Sequence, residues 1–300
     1  MVDKPNYVKL LEEGRFPEKL KKAYNVLRKC SLCPRNCHVN RIEGEKGFCE
    51  TTAKVKISSC FPHFGEERPL VGKNGSGTIF ISHCNLKCVF CQNNDISHHG
   101  YGEITKVKEL AKLMLKIQAK GCHNINVVSP THVAPQVMAA LYHGAKKGLN
   151  IPFVYNTGGY DSPELIRLLD GVVDIYLPDF KFGDDEIAEK FTGAKDYFTV
   201  AKKNLALMYD QVGPMAVKSD GIAFQGVIVR HLVMPGEVAN SKKVFEYIKS
   251  ISSKIPINIM GQYFPSYQAG EYKEINRRPE IAEILQAKKW AQDMGLKVLD

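Results

Sequence analysis

Three cysteines stand close together directly after an apolar segment of the chain. Cys84, Cys88 and Cys91 are separated by three and then two residues, and they follow a predicted strand at 77–82. We expect an intracellular chain, in which thiols stay reduced, so a tight cysteine group indicates metal binding rather than disulfides. Three thiolates can bind three irons of a 4Fe-4S cluster and leave the fourth iron open to a non-protein ligand.

A structural zinc ion is the alternative for the same three residues. Three cysteines and one histidine, His83 or His98, would complete a tetrahedral zinc site. Two features favour the cluster: the strand that precedes the cysteines, and the aromatic Phe90 directly before Cys91.

A second cysteine group lies nearer the N-terminus. It consists of Cys30, Cys33, Cys37 and Cys49. Four thiolates can close around one centre, and both structural zinc and a second iron-sulfur cluster fit this set. The spacing predicts a metal site and leaves the identity of the metal open. The remaining Cys60 and Cys122 are predicted to be small buried residues.

The rest of the chain alternates between apolar strands and amphipathic helices. Six strands are predicted at residues 77–82, 124–128, 151–155, 172–177, 226–233 and 257–260. The helices between them, such as those at 106–120 and 241–251, each carry one apolar face. Units of about 30 residues are typical of parallel barrels, and six units are too few for a closed barrel of eight. The pattern predicts an α/β fold, a partial (β/α)6 TIM-like barrel at 77–300, preceded by a small Cys-rich helical extension at 1–76.

Polar side chains gather on or just after the middle strands of this predicted barrel. They are Ser129, Thr131, Asn156, Thr157, Asp179, Lys181 and His231. Active sites of parallel barrels lie at the carboxyl ends of the strands. Lys181 suits a carboxylate, and Asp179 suits a hydroxyl group or a cation. The alternatives are a salt bridge between Asp179 and Lys181, and a core histidine at His231.

The first cysteine group with Phe90 resembles the CxxxCxφC signature of the radical S-adenosylmethionine (SAM) enzymes. This resemblance implies that the amino and carboxylate groups of SAM chelate the open iron. It also implies that the reduced cluster cleaves SAM to a 5′-deoxyadenosyl radical, which abstracts a substrate hydrogen. By position, the polar strand-end residues and Phe90 correspond to the family's SAM-contacting segments.

Four longer segments narrow the resemblance to one group of that superfamily. They are CSLCPRNCHVNRIEGEKGFC, PHFGEERPL, GSGTIFISHCNLKCVFCQNNDIS and INIMGQYFP. They resemble the pyruvate formate-lyase activating enzyme-like group, which implies an oxidoreductase with a protein or peptide substrate and an electron donor such as a ferredoxin or flavodoxin. Modification of RNA or of a small metabolite is the alternative reaction, and a non-enzymatic zinc protein that binds nucleic acid is the alternative class.

Composition limits these alternatives only in part. The 300 residues are 44% hydrophobic and 24% charged, as expected for one or two ordinary globular domains. The net charge of +9 is spread over scattered pairs, so a nucleic-acid partner is neither required nor excluded. No apolar run approaches the roughly 18 residues of a membrane span, and the first residues lack a secretory apolar stretch. We therefore expect a cytoplasmic protein without a membrane partner.

Overall fold

A computed structural model describes residues 4–299 as strands on which helices pack. The strands are β1 (Val55–His63), β2 (Ser76–Ile81), β3 (Glu103–Thr105), β4 (Ile125–Val128), β5 (Phe153–Thr157), β6 (Ile175–Pro178), β7 (Ala216–Val217), β8 (Ala223–Val227), β9 (Val229–Leu232), β10 (Pro256–Met260) and β11 (Lys297–Leu299). The helices are α1 (Asn6–Glu12), α2 (Phe16–Val26), α3 (Arg68–Val71), α4 (Asn94–Ser97), α5 (Val107–Ala119), α6 (Ala134–Ala145), α7 (Pro163–Leu169), α8 (Asp185–Thr192), α9 (Tyr197–Val212), α10 (Ser241–Ile251) and α11 (Ile281–Asp293). No helix within this range combines the length and the apolarity that a membrane crossing requires.

The strands form two sheets that meet at one bend in the chain. The larger sheet has the order β3-β1-β2-β4-β5-β6-β8-β7, and its strands β2, β4, β5, β6 and β8 are parallel. The smaller sheet, β11-β10-β9, is entirely parallel. Only Ile228 separates β8 from β9, and a parallel bridge from Asp179 to Arg230 joins the end of β6 to β9. The parallel strands therefore continue from one sheet into the other, as in an open barrel.

The predicted α/β fold is confirmed, with small shifts at the strand ends. The fifth predicted strand is divided into β8 and β9, because the chain bends at Ile228 as it passes between the sheets. Helices α5 and α10 lie where they are predicted. Ser162 caps the N-terminus of helix α7, because its hydroxyl oxygen accepts a hydrogen bond from the Leu165 amide, and Pro163 follows at the first helical position.

Strand β1 is the main element that the sequence pattern does not indicate. Its nine residues include Pro62 and mix buried, half-buried and exposed positions, so they lack a regular alternation. It pairs antiparallel with β2, from Ile57 opposite Ile81 to His63 opposite Ser76. The domain boundary between residues 76 and 77 stays a prediction, and a strand that precedes it shares a sheet with one that follows it.

The buried carboxylate of Asp174 joins the N-terminal helices to the sheet. Its two oxygens accept hydrogen bonds from the Asn6 amide at 2.6 Å and the Phe153 amide at 2.8 Å. Burial raises the pKa of Asp174 to about 7, although these hydrogen bonds act in the opposite direction. The folded protein therefore retains a proton here at a pH at which the unfolded chain has released it.

Replacing this group tests the linkage between its ionisation and stability. The raised pKa means that Asp174 makes the native protein less stable as the pH rises from about 4 to 7. The Asp174→Asn variant lacks this contribution, so its stability relative to wild type should increase across that window by on the order of 3 kcal/mol. Urea midpoints at pH 5, 6 and 7 measure the difference. A difference that is constant with pH would contradict the assignment.

Candidate functional site

The three clustered cysteines, Cys84, Cys88 and Cys91, here called the cysteine triplet, occupy a tightly folded loop between β2 and α4. Two residues of this loop, His83 and Lys87, have positive φ angles of 70° and 54°. The neighbouring Gly100 is required, because a Cβ there would lie 2.3 Å from the His83 ring. Strained, closely packed backbone of this kind is often found at functional sites.

The triplet lines a cavity and offers a sulfur donor set. The Leu86 amide donates to Cys84 Sγ at 3.4 Å, and Cys91 Sγ lies 3.0 Å from the Ser97 hydroxyl. Burial raises the pKa of the Cys84 and Cys88 thiols, so a bound metal would have to supply the positive charge that makes them thiolates. Three thiolates, two of them with hydrogen bonds to their sulfurs, are suited to an iron-sulfur cluster.

The spacing of the donor groups bears on the kind of metal site. Within residues 4–299, no three His, Cys, Asp or Glu side chains are arranged to hold a single metal ion. A 4Fe-4S cluster has a different requirement, because each cysteine binds its own iron. His98, a candidate zinc ligand in the sequence, instead has its Nε2 3.0 Å from the Cys88 carbonyl oxygen.

Four charged side chains lie together at the cavity, and we call Glu66, Asp179, Lys181 and Arg230 the charged floor. The last three line the cavity, and Glu66 lies next to Arg230. Asp179 accepts from Lys181 Nζ at 2.5 Å and from Arg230 Nε at 2.8 Å. Arg230 Nη1 also lies 3.4 Å from Glu66. Basic and acidic side chains therefore alternate in the order Lys181, Asp179, Arg230, Glu66.

The pKa values of the charged floor reflect these pairs. Burial raises the pKa of Asp179, but Arg230 and Lys181 outweigh it and hold the pKa below its ordinary value. Burial lowers the pKa of both basic groups, but Asp179 together with other neighbouring groups outweighs it, so the pKa values of Lys181 and Arg230 are raised. Burial raises the pKa of Glu66 against the attraction of Arg230. We infer that Lys181, Asp179 and Arg230 are ionised throughout the physiological range.

The cavity collects most of the predicted strand-end residues. Five of these residues line it: Ser129, Asn156, Thr157, Asp179 and Lys181. Ser129 is held at a positive φ of 56°, and its amide donates to the Asn156 carbonyl oxygen at 2.8 Å. Phe90 lines a second opening of the site together with Gln262, and its ring packs against Phe182.

Two predicted cofactor-binding residues are engaged elsewhere. The Thr131 hydroxyl is buried and donates to Asp161 at 2.8 Å. His231 lies in the core, where Nδ1 donates to the Phe180 carbonyl oxygen at 2.6 Å and Nε2 accepts from the Ser241 hydroxyl at 2.8 Å. Burial lowers the pKa of His231 to about 4, so the ring is neutral. The structure thus gives His231 the alternative role of a satisfied core histidine.

Sequence reasoning missed Arg230, and the roles of Glu66 and Glu67 depend on contacts with distant segments. Glu66 approaches Arg230 from a loop that is distant in sequence, and Glu67 accepts from Asn258 Nδ2 at 2.9 Å. The available signal was the pair of carboxylates next to His63. The role of this carboxylate pair depends on the distant strands that it contacts in the fold.

The N-terminal cysteines line a separate cavity next to the triplet loop. Arg35, which lies between Cys33 and Cys37, donates to the Asn85 and Leu86 carbonyl oxygens of that loop at 3.1 and 3.3 Å. The Lys87 ammonium also lies 2.8 Å from Glu50, the residue after Cys49. The two cysteine groups therefore occupy segments in direct contact.

Comparisons with known proteins identify the class. The Radical SAM superfamily model matches residues 78–248, more than half of the chain. The chain is 38% identical over 291 residues to the uncharacterized protein MJ0674 of Methanocaldococcus jannaschii, covering 94% of this chain and 79% of that protein. It is 26% identical over 175 residues to the uncharacterized protein MJ0808 of the same organism, covering 53% of this chain and 50% of that protein. This chain belongs to the radical SAM superfamily.

A solved structure supports the same fold. A radical SAM methyltransferase from Sphaerobacter thermophilus matches with a TM-score of 0.51 and 13% identity, over 74% of this chain and 65% of that one. Superfamily membership implies an enzyme that binds a 4Fe-4S cluster and SAM, which confirms that part of the prediction and argues against a non-enzymatic zinc protein. Such enzymes generally need a reductant such as ferredoxin or flavodoxin.

Removing the central cation of the charged floor should cost stability. The Arg230→Gln variant leaves Asp179 and Glu66 without their shared partner in a buried setting, so we expect a loss of about 3 kcal/mol. The matched Arg167→Gln variant breaks an exposed pair with Glu164 and should lose less than about 1 kcal/mol. Urea denaturation of both variants compares them. Equal losses would show that the floor is not a compensated charge network.

Proposed function

We propose that the cysteine triplet binds the 4Fe-4S cluster and that SAM binds beside it, over the charged floor. One observation carries this proposal: the three cysteines line the same cavity as Asp179, Lys181 and Arg230. That cavity lies at the carboxyl ends of the parallel strands, where active sites of such folds are found. The sulfur ligands for the cluster and the charged groups for the zwitterionic part of SAM thus line the same cavity.

Individual side chains have distinct roles in holding SAM. Lys181 is suited to pair with the SAM carboxylate, and Asp179 positions the Lys181 ammonium through their hydrogen bond. Asn156 Oδ1 accepts from Arg230 at 2.7 Å, which fixes the orientation of the amide. Asn156 Nδ2 is buried without a partner among residues 4–299, so it is available as a donor to a ligand.

A cluster held by Cys84, Cys88 and Cys91 would supply, when reduced, the electron for cleavage of SAM to the 5′-deoxyadenosyl radical. The chain surrounds that chemistry with buried apolar groups. Leu86 and Phe90 are nearly inaccessible to solvent, and Phe90 contacts Phe182 and Tyr263 edge to face. These side chains exclude water from the wall nearest the triplet, which protects a reactive species from side reactions.

We further propose an oxidoreductase of the activating-enzyme type, which abstracts hydrogen from a residue of a protein or peptide. The sequence segments that resemble that group support this choice. The second opening of the site, lined by Leu232, Met260 and Gln262, also leads toward Arg230 and Cys91. Exposed Phe264 and Tyr267 lie close to Gln262 in sequence. An opening with mixed apolar and polar walls is suited to a peptide segment.

Turnover of SAM tests the reaction. Anaerobic protein reduced by flavodoxin or dithionite should convert SAM to 5′-deoxyadenosine. The Cys84→Ala, Cys88→Ala, Cys91→Ala variant should fall to the level of a protein-free control, because the cluster has lost its ligands. The Cys60→Ala variant removes a cysteine outside both groups and should retain activity. An active triplet variant would contradict the proposed site.

Isotope transfer distinguishes the substrate classes. Deuterated cell material is separated into protein, RNA and small-metabolite fractions, and each is added to the turnover reaction. We expect deuterium to enter 5′-deoxyadenosine from the protein fraction. Deuterium from the RNA or metabolite fraction alone would replace the peptide proposal and would leave SAM cleavage intact.

A further inference from the structure

The N-terminal cysteine segment folds around a cavity of its own. Cys30, Cys33, Cys37 and Cys49 line this cavity with their side chains. The Cys30 amide donates to the Val39 carbonyl oxygen at 3.1 Å, and the His38 amide donates to the Cys30 carbonyl oxygen at 3.0 Å. These bonds close residues 30–39 on themselves, and Cys49 reaches the same cavity from a later part of the chain.

Gly47 shows how closely this segment is packed around its sulfurs. A Cβ at Gly47 would lie 2.7 Å from both Cβ and Sγ of Cys37, so only glycine allows this approach. The Phe48 amide donates to Cys37 Sγ at 3.3 Å. Backbone hydrogen bonds to the cysteine sulfurs are a usual feature of iron-sulfur sites.

A buried cation faces the same cavity. Arg41 is 1% exposed and lines the cavity. Its Nη2 donates to the Thr52 carbonyl oxygen at 2.7 Å and its Nη1 lies 3.8 Å from Cys30 Sγ, while Nε has no partner. None of the ion pairs within residues 4–299 includes Arg41. A guanidinium is always charged, and a buried charge without an opposite charge is strongly unfavourable.

A buried histidine reaches the cavity from a different element. His132 is 2% exposed, lies beyond β4 and lines the cavity with Arg41. Its Nε2 donates to the Ser82 carbonyl oxygen at 2.9 Å, whereas its Nδ1 is buried without a partner in the described part of the chain. Two independent buried groups therefore have unsatisfied polar atoms at this cavity, and such atoms normally have a partner.

Four neutral thiols do not compensate Arg41, but a metal centre bound by four thiolates does. Four thiolates around a core of charge 2+ total −2, which supplies the missing negative charge. We propose that Cys30, Cys33, Cys37 and Cys49 bind a second 4Fe-4S cluster, with Arg41 as its counter-ion. Within residues 4–299, no three His, Cys, Asp or Glu side chains are arranged to hold a single ion, so these cysteines suit a cluster, in which each sulfur binds its own iron, better than zinc.

Metal analysis of the full chain without the triplet tests this site alone. The Cys84→Ala, Cys88→Ala, Cys91→Ala variant is purified without oxygen and reconstituted with ferrous iron and sulfide. We expect about four irons and four sulfides per chain, and their loss when Cys33→Ser and Cys37→Ser are added. Adding Cys60→Ser instead should leave the counts unchanged. About one zinc with no sulfide, or no metal at all, would overturn the second cluster. This result is independent of SAM cleavage, because the variant lacks the proposed SAM site.

The role of Arg41 has a separate readout in the same triplet-free background. Reduction adds negative charge to the cluster, so the Arg41→Met variant should have a lower reduction potential than the protein with Arg41. The potential of the Arg41→Lys variant should stay closer to that of the protein with Arg41, because the positive charge is kept. Arg167→Met removes an exposed arginine and should cause no shift. Redox titration followed by electron paramagnetic resonance (EPR) measures the potentials. Equal potentials for Arg41→Lys, which keeps the charge, and for Arg41→Met would show that Arg41 is not the counter-ion.

Discussion

The compensation of buried charge is the constraint on which the site depends. Lys181 and Arg230 share the carboxylate of Asp179, and Arg230 also faces Glu66. None of these groups is stable in a buried position without the others, because an unpaired buried charge costs several kcal/mol. The charged floor therefore has to form as a unit, and it forms only when the strands that carry its members are in register.

The fold brings these members together from separate parts of the chain. Asp179 follows β6 and Arg230 lies on β9, and the bridge between these two residues also joins the two sheets. Asn156 at the end of β5 binds Arg230 from the other side. Because the chain bends at Ile228, the consecutive strands β8 and β9 belong to different sheets. This bend therefore links the two sheets of the open barrel and also places Arg230 in the charged floor.

The fold and the superfamily could be predicted from sequence because their signals are local. The spacing of Cys84, Cys88 and Cys91 and the apolar runs of the parallel strands are contained in short windows of sequence. From such a window Thr131 and His231 are predicted to be site residues. In the structure they instead form hydrogen bonds inside the core, Thr131 with Asp161 and His231 with Ser241. The roles of Glu66, Arg41 and His132 depend on partners or cavities formed by distant segments, which spacing alone does not reveal.

We propose that SAM binds at the cluster of the triplet through the charged floor. Titration of the reduced protein with SAM, followed by the EPR signal of the cluster, tests it most directly. We predict that SAM alters the wild-type signal and that Lys181→Met needs at least about tenfold more SAM, because a charge-assisted hydrogen bond is lost. The exposed Lys112→Met should behave as wild type. A wild-type signal that SAM leaves unchanged, or an equal SAM requirement in Lys181→Met, would contradict the account.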